Sequence, residues 1–169
     1  KGSKPQIIVS RTAPRFLEKL LEMEIPEIQD GTIILKKVVR IPGEKAKIAV
    51  DAYDDRIDPV GACVGVKGSR IHGVVRELKN ENIDVIQWSK NPEIMVKRAL
   101  GNITINKIEI NEETNYALVY TPVEEISRVI GKQGQNIRLA SWLSGYDIDV
   151  YREASEDDDV ELREFVGTE

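Results

Sequence analysis

Two short glycine motifs are the residues of this sequence whose types and spacing can do chemistry. They are Gly65-Val66-Lys67-Gly68 and Gly131-Lys132-Gln133-Gly134. Glycine has no Cβ, so it adopts positive φ and lets another backbone approach closely. A tight bend before a helix leaves backbone N–H groups free at the helix start, where the helix dipole also favours an anion. Each bend also carries a lysine, so both motifs are predicted to bind a phosphate group.

The two motifs lie in the same sequence context. An apolar residue precedes each motif, and an isoleucine, Ile71 or Ile137, lies three residues after its second glycine. Each copy then ends in Ile-Asp-Val, at residues 83–85 and 148–150. Agreement at several positions indicates two copies of one structural unit.

Strand and helix signals follow one order around both motifs. In the first copy they predict a helix from Thr12 to Ile25-Pro26, strands at Thr32–Ile41 and Ala46–Tyr53, a short helix from Asp58, a helix after Gly68 and a strand at Ile83–Trp88. In the second they predict a helix from Asn91-Pro92 to Gly101, strands at Ile103–Ile110 and Tyr116–Tyr120, helices at Pro122–Ile130 and Gln135–Ser144, and a strand at Asp147–Tyr151. The order helix, strand, strand, helix, helix, strand therefore occurs twice, in an α+β fold.

The predicted organisation has four segments. Residues 1–10 form a linker or strand, with an apolar strand candidate at Gln6–Ser10, and 11–90 and 91–152 form the two units. Residues 153–169, an acidic flexible tail, hold eight acidic residues and one Arg, a balance of −7 against −5 for the whole chain. The other 152 residues carry 23 basic and 21 acidic side chains, so the body is mildly basic and suits an anionic partner.

Composition excludes several classes of protein. The single cysteine, Cys63, rules out an intramolecular disulfide and any multi-cysteine zinc site. The lack of a disulfide leads us to expect a cytoplasmic protein, and apolar runs too short to span a bilayer lead us to expect no membrane contact. A nucleotide- or phosphate-binding enzyme is the alternative, but residues 61–67 lack the spacing and the Ser or Thr after Lys67 that a phosphate-binding loop of nucleotide hydrolases needs. We therefore expect no catalysis, no metal and no cofactor.

The motifs resemble a known family of RNA-binding domains. Residues 64–71 and 129–137 resemble KH-domain signatures, and the order of elements resembles the prokaryotic, type II topology. Residues 58–65 with 67–70, and residues 134–141, are similar to the first and second KH domains of the NusA family of bacterial transcription elongation factors. The resemblance implies two tandem type II KH domains, each with its helices packed on one face of a three-stranded sheet.

The resemblance implies single-stranded RNA as the partner. It also implies a role in transcriptional pausing, termination and antitermination, with RNA polymerase contacted by the full-length protein. We expect each bend and the Ile-Asp-Val strand that follows it to form the walls of a groove. We expect a monomer in which the two grooves hold one continuous RNA strand, with the bends contacting its backbone and the strands reading its bases. The expected RNA-binding residues are Gly65, Val66, Lys67, Gly68, Ser69, Arg70, Asp84, Val85, Ile86, Gly131, Lys132, Gln133, Gly134, Gln135, Asn136, Arg138, Asp149 and Val150.

Four further residues have two possible roles each. His72 aligns with Arg138 and could contact RNA at the groove edge or be merely exposed. Cys63 is expected to be a buried structural thiol, and Trp88 and Trp142 to pack between the units rather than stack on bases. The remaining functional alternative is a protein-interaction module of the transcription machinery with little RNA binding of its own.

Overall fold

The computed structural model describes residues 5–153, which form two three-stranded sheets with helices. The first unit contains α1 (Pro14–Glu24), α2 (Pro26–Gln29), β1 (Ile33–Ile41), β2 (Lys45–Ala52), α3 (Pro59–Val64), α4 (Ser69–Glu77) and β3 (Asn82–Gln87). The second contains α5 (Pro92–Leu100), β4 (Lys107–Asn111), β5 (Tyr116–Pro122), α6 (Ile126–Ile130), α7 (Gln135–Ser144) and β6 (Asp147–Glu153). Short 3₁₀ turns at Val66–Gly68 and Lys132–Gly134 separate α3 from α4 and α6 from α7, and another at Val123–Glu125 precedes α6.

Both sheets have the same topology. In the first, β2 lies between β1, with which it pairs antiparallel, and β3, with which it pairs parallel. In the second, β5 lies likewise between antiparallel β4 and parallel β6. Among the described strands, β3 and β6 therefore lie at sheet edges, where half of a strand's backbone groups point away from its neighbour. The predicted α+β fold class is confirmed.

Local sequence signals explain where the helices begin and end. The Asp58 carboxylate accepts the Gly61 N–H at 3.0 Å and caps α3, and the Asn91 side chain accepts the Ile94 N–H at 3.2 Å and caps α5. A proline follows each cap, at the position where a helix does not need its N–H. Gly101, with φ of 102°, ends α5.

The first core lies between the helices and one face of the first sheet. Leu17, Leu21 and Ile25 from the α1 region meet Ile48 and Val50 of β2. These residues are fully buried. Side chains of α3 and α4 complete the cluster, as the apolar periodicity of α4 predicted.

The second core joins the two units. It contains Leu139, Ala140 and Leu143 of α7, together with Ala49 and Ile86 from the first sheet. Helix α7 therefore packs between its own sheet and the outer face of the first sheet. The second apolar face predicted for this helix is confirmed, and the two units form one packed body.

A buried ion pair fixes the loop between α4 and β3. Arg40 Nη2 donates to Glu81 Oε1 at 2.7 Å, and the two side chains are 3% and 0% exposed. Arg40 Nη1 also donates to the carbonyls of Arg11 and Ala13, while Glu81 accepts the Gly43 N–H at 2.8 Å. One pair thus connects the start of α1, the β1–β2 turn and the chain entering β3.

Several details of the predicted elements are wrong. The helix predicted from Pro122 begins only at Ile126, because Pro122 still belongs to β5 and Val123–Glu125 form a 3₁₀ turn. Gln6–Ser10 forms no strand in the described residues, because no strand pairs with it and Ile7 is 92% exposed. The strand predicted from Ile103 begins only at Lys107, because the Thr104 carbonyl accepts the Thr121 hydroxyl instead of a ladder hydrogen bond. An additional short helix, α2, follows Ile25-Pro26. The flexible tail was predicted for 153–169; Glu153 ends β6, and 154–169 lie outside the described residues.

Candidate nucleic-acid interface

The two glycine motifs have the same backbone conformation. Their first glycines, Gly65 and Gly131, have φ/ψ of 76°/175° and 75°/174°. Their third residues, Lys67 and Gln133, are both left-handed with φ of 53°, and their second glycines have φ of 75° and 71°. Two segments with different central residues thus adopt one bend, as the repeat predicted.

The first glycine of each motif is required by close approach as well as by its φ. A Cβ on Gly65 would lie 2.9 Å from Arg70 Cγ, and a Cβ on Gly131 would lie 2.7 Å from Asn136 Cβ. Contacts below 3.0 Å are not tolerated by a Cβ atom. Gly134 has open space at the corresponding position, so only its φ of 71° constrains it.

Matched side chains hold each bend against the preceding helix. Arg70 Nη1 donates to the Ala62 carbonyl at 3.0 Å, and Asn136, at the same place in the second motif, donates to the Val129 carbonyl at 2.9 Å and to two other carbonyls. Arg70 also donates to Glu27 at 2.6 Å, and this hydrogen bond lowers the pKa of Glu27. The side chains of Arg70 and Asn136 are thus used inside the protein, a structural role that the sequence reasoning missed.

The tips of both bends are exposed. Val66, Lys67, Lys132 and Gln133 all project to solvent, and Val66 is 81% exposed. The first N–H groups of a helical turn have no partner within that turn, so each bend offers donors beside its exposed side chains. The combination of donors and lysine charge suits a phosphate group.

Side chains of α4 and α7 flank the bends. The His72 ring lies against Gly68, with its Cε1 atom 2.9 Å from the place where a Cβ would be. Arg138, at the aligned position, donates to the Gln133 carbonyl at 3.4 Å. Both side chains are exposed, whereas Gln135 in the same turn is buried.

The strand aspartates of the two copies have different partners. Asp84 Oδ2 accepts from Lys47 at 2.8 Å and from Lys45 at 3.1 Å. Burial alone would raise the pKa of Asp84, but the charges and hydrogen bonds of these lysines outweigh it, so its pKa is lowered. Asp149 instead accepts the Tyr116 hydroxyl at 2.9 Å.

The apolar residues predicted beside these aspartates have buried or half-buried side chains. Ile86 is 6% exposed and belongs to the second core, and Val85 and Val150 pack against the two cores. A ligand along these strands would therefore meet their backbone groups rather than their side chains.

The two tryptophans differ. Trp88 packs against the second core, as expected. The expectation that Trp142 packs between the units is wrong, because Leu139, Ala140 and Leu143 fill that face of α7 and Trp142 remains 47% exposed.

Cys63 is buried, and burial raises the pKa of its thiol from 9.0 to about 11. Because the unfolded thiol ionises first, this contribution to stability is intact below pH 9 and is lost as the pH rises toward 11. We expect the parent protein to lose about 2 kcal/mol more free energy of unfolding between pH 8 and 10.5 than Cys63→Ala does. Urea titrations at both pH values measure this difference, and equal losses would contradict it.

Residues 5–153 contain neither a metal-binding cluster nor a membrane-spanning helix. No group of three or more His, Cys, Asp and Glu side chains there is arranged to hold a metal ion. No helix in that range is long and apolar enough to cross a bilayer.

Comparison with known protein families agrees with this geometry. The model of the NusA-like first KH domain matches residues 11–88, and that of the NusA-like second KH domain matches residues 92–158. The chain belongs to the NusA-like KH domain family. The resemblance inferred from the glycine motifs is thereby confirmed, as is the tandem KH architecture.

Relatives of this family cover most of the chain. Proteins named transcription termination/antitermination protein NusA from Halalkalibacterium halodurans, Bacillus subtilis and Thermus thermophilus are 48%, 47% and 43% identical over 89%, 88% and 85% of it. The chain spans only 39%, 40% and 37% of those proteins. The crystal structure of APE1850 covers 78% of this chain and 96% of its own, with a TM-score of 0.52 and 23% identity, and it supports the fold alone.

Proposed function

We propose that this chain binds single-stranded RNA through its two glycine bends. The observation that carries the proposal is that both bends adopt one backbone conformation with exposed tips, each leading into a helix. Backbone N–H groups and the charges of Lys67 and Lys132 make each bend a phosphate site. A repeated phosphate site suits a polymer with a regular backbone.

The edge strands favour a single strand over a duplex. Helix α3 leads into the first bend and packs against β3, so the bend and the edge of that sheet belong to one surface. An extended strand can present its base edges to free backbone groups there, whereas bases in a duplex are stacked and already paired. The same relation holds between α6 and β6 in the second unit.

In this proposal, a single RNA strand contacts both bends. Lys132 Nζ lies 3.8 Å from Glu44 Oε2 in the β1–β2 turn of the first unit. The Glu44 carbonyl accepts the Asn82 N–H at 3.3 Å, where β3 begins. The second bend therefore lies close to one end of the first unit's edge strand, and an RNA following that edge reaches it.

The proposed contacts follow from what each residue exposes. The tips at 66–67 and 132–133, with Ser69 and Arg138, meet the sugar-phosphate backbone, and the strands at 84–86 and 149–150 meet bases. The side chains of Arg70, Gln135 and Asn136 are left out, because internal packing or hydrogen bonds use them. We take residues 11–90 and 91–152 as the two binding units.

In its wider role, we infer that the chain is part of a cytoplasmic elongation factor that modulates pausing, termination and antitermination. The names of its relatives support this role. Contact with RNA polymerase is assigned to the full-length protein, and the RNA-bound chain is taken to be a monomer without catalytic activity. A protein-interaction module with little RNA affinity is the alternative.

Fluorescence anisotropy with a labelled 12-nucleotide RNA tests the proposal. We expect tighter binding of the single strand than of the same sequence in a duplex. The affinity should fall with salt, with a slope of log K against log salt of about −1.4 or steeper, because at least two phosphates are neutralised. Equal or stronger binding of the duplex would contradict the proposal, and absence of RNA binding would favour the protein-interaction module.

A further inference from the structure

A cleft of about 580 Å³ lies where the first sheet meets the second unit. Residues 83–87 of β3, with Lys47 of the adjacent strand β2, form one wall, and Arg98, Gly101 and Asn102 at the end of α5 form the other. The cleft lies beside the edge strand along which we propose that RNA runs, and its volume is in the range that holds a nucleotide-sized ligand.

The charges at this cleft suit a nucleotide. Lys47 and Arg98 line the cleft and are positive, Lys45 pairs with Asp84, and Asp84 is the one acid among the described residues that line it. Arg98 is exposed and donates to the Gln87 carbonyl at the weak distance of 3.4 Å, which leaves most of its guanidinium free for a phosphate. The surplus of positive charge attracts the backbone, and the acid is left to contact the base.

Asp84 is held in a fixed position with one oxygen free. Both lysines donate to its Oδ2 atom, and Lys47 is fully buried. Rotation of the carboxylate would leave the buried ammonium group of Lys47 without a counter-ion, so the carboxylate is held in place. Its Oδ1 atom has no hydrogen-bond partner among the described residues, and the side chain remains 34% exposed to the cleft. The cleft therefore presents one rigid acceptor.

We propose that this cleft receives one base of the bound RNA and that Asp84 selects a base with an exocyclic amino group. Adenine, cytosine and guanine each offer such a group as a hydrogen-bond donor, and a carboxylate accepts from it. Uracil has no amino group, and the two carbonyl oxygens that flank its N3–H repel a carboxylate. This specificity rests on the proposed RNA-binding function and adds a base preference at the junction of the two units.

The repeat supplies a matched control. Asp149 occupies the same place in the second Ile-Asp-Val sequence, but its Oδ2 atom accepts from Tyr116 and its residue lies outside the wall of this cleft. Asp149→Asn therefore makes the same chemical change at the equivalent strand position of the second unit, where it can alter a base contact of its own but leaves the lining of this cleft unchanged.

Selection from a randomised 12-nucleotide RNA pool, followed by sequencing, identifies the position at the cleft. We expect one position to be depleted in uridine with the parent protein and with Asp149→Asn. In Asp84→Asn the lysines retain the amide oxygen, so the amide N–H₂ faces the cleft and the depletion should disappear or reverse.

Replacing one nucleoside of the RNA by an analogue without the amino group tests the same contact in the unchanged protein. Purine riboside in place of adenosine, or 2-pyrimidinone riboside in place of cytidine, removes only the amino group. We expect the parent to bind the altered RNA about tenfold more weakly, because a buried hydrogen bond to a charged group is lost. Asp84→Asn should discriminate less than twofold between the two RNAs.

Each contrary outcome has a separate meaning. Tight RNA binding by the parent with no discrimination, or the same discrimination by Asp84→Asn, would overturn the base-selection proposal alone. Failure of the parent to bind any RNA would overturn the proposed function and this specificity with it. Because the RNA exchange uses the parent protein, the result does not depend on the stability of Asp84→Asn.

Discussion

The paired substitution Lys132→Asp with Gln133→Asp should weaken RNA binding by about a hundredfold. It replaces one positive charge with two negative charges at an exposed tip where the account places a phosphate. Aspartate tolerates the left-handed φ of 53° at position 133, so the fold should be unaffected. The equivalent pair Val66→Asp with Lys67→Asp should act in the same direction at the first bend.

A control with the same change in charge shows whether the position matters. Gln29 and Lys36 are both exposed, and they belong to α2 and β1, on the edge of the first sheet opposite β3. Gln29→Asp with Lys36→Asp should therefore weaken binding much less in the same anisotropy titration. If both pairs weakened binding equally, net charge rather than the bend would explain the affinity.

Glu81→Gln should lower the free energy of unfolding by about 3 kcal/mol or more. Arg40 is 3% exposed, and this substitution leaves its charge buried without a counter-ion. The neutral amide of glutamine has nearly the same shape as the carboxyl group. The loss of stability therefore comes from the missing negative charge and not from a cavity. Urea unfolding followed by circular dichroism measures the change.

An exposed ion pair provides the comparison. Glu109 lies 2.9 Å from Lys107 on the surface of the second sheet, where solvent screens the pair. Glu109→Gln should leave the urea midpoint unchanged. A Glu81→Gln protein as stable as the parent would contradict the structural role given to the buried pair.

Glu81→Gln should also disturb the RNA-binding edge. Glu81 directly precedes β3, and the pair with Arg40 fixes where that strand begins relative to the β1–β2 turn. The same turn carries Glu44, which lies near Lys132 of the second bend. A loosened turn would therefore affect the path of RNA between the two bends.

Local features of the fold could be predicted from the sequence. Helix α7 begins and ends where the pattern places it, because Gly134 and Gly145 bracket one continuous apolar repeat. Asn91 was recognised as a helix start from the proline that follows it, and a short helix was predicted from Asp58. Recognition of the bends succeeded because glycine spacing is a local property that leaves a direct mark in sequence.

Long-range pairings could not be predicted in the same way. Arg40 and Glu81 are 41 residues apart, and Lys47 and Asp84 are 37 apart, so nothing in the local pattern connects them. Lys47 is a charged residue between apolar neighbours in the sequence, yet its side chain is fully buried in the folded chain. The apolar run at Gln6–Ser10 illustrates the opposite error, because β propensity does not form a strand without a partner.

The prediction of site residues was limited by the same cause. Arg70 and Asn136 follow the bends in sequence, and their charge and polarity favoured RNA contact. Only the folded chain reveals the carbonyls of Ala62 and Val129 to which they donate. Polar residues beside a binding motif can therefore build the motif rather than bind its ligand.

The central claim, that two glycine bends bind the phosphates of one RNA strand, is tested most directly by nuclear magnetic resonance. Backbone amide signals of a ¹⁵N-labelled chain are followed while a single-stranded 12-nucleotide RNA is added. We predict that the amides at 65–68 and 131–134 shift together, along one binding curve. Tight RNA binding that leaves the amides of both bends unchanged would contradict it.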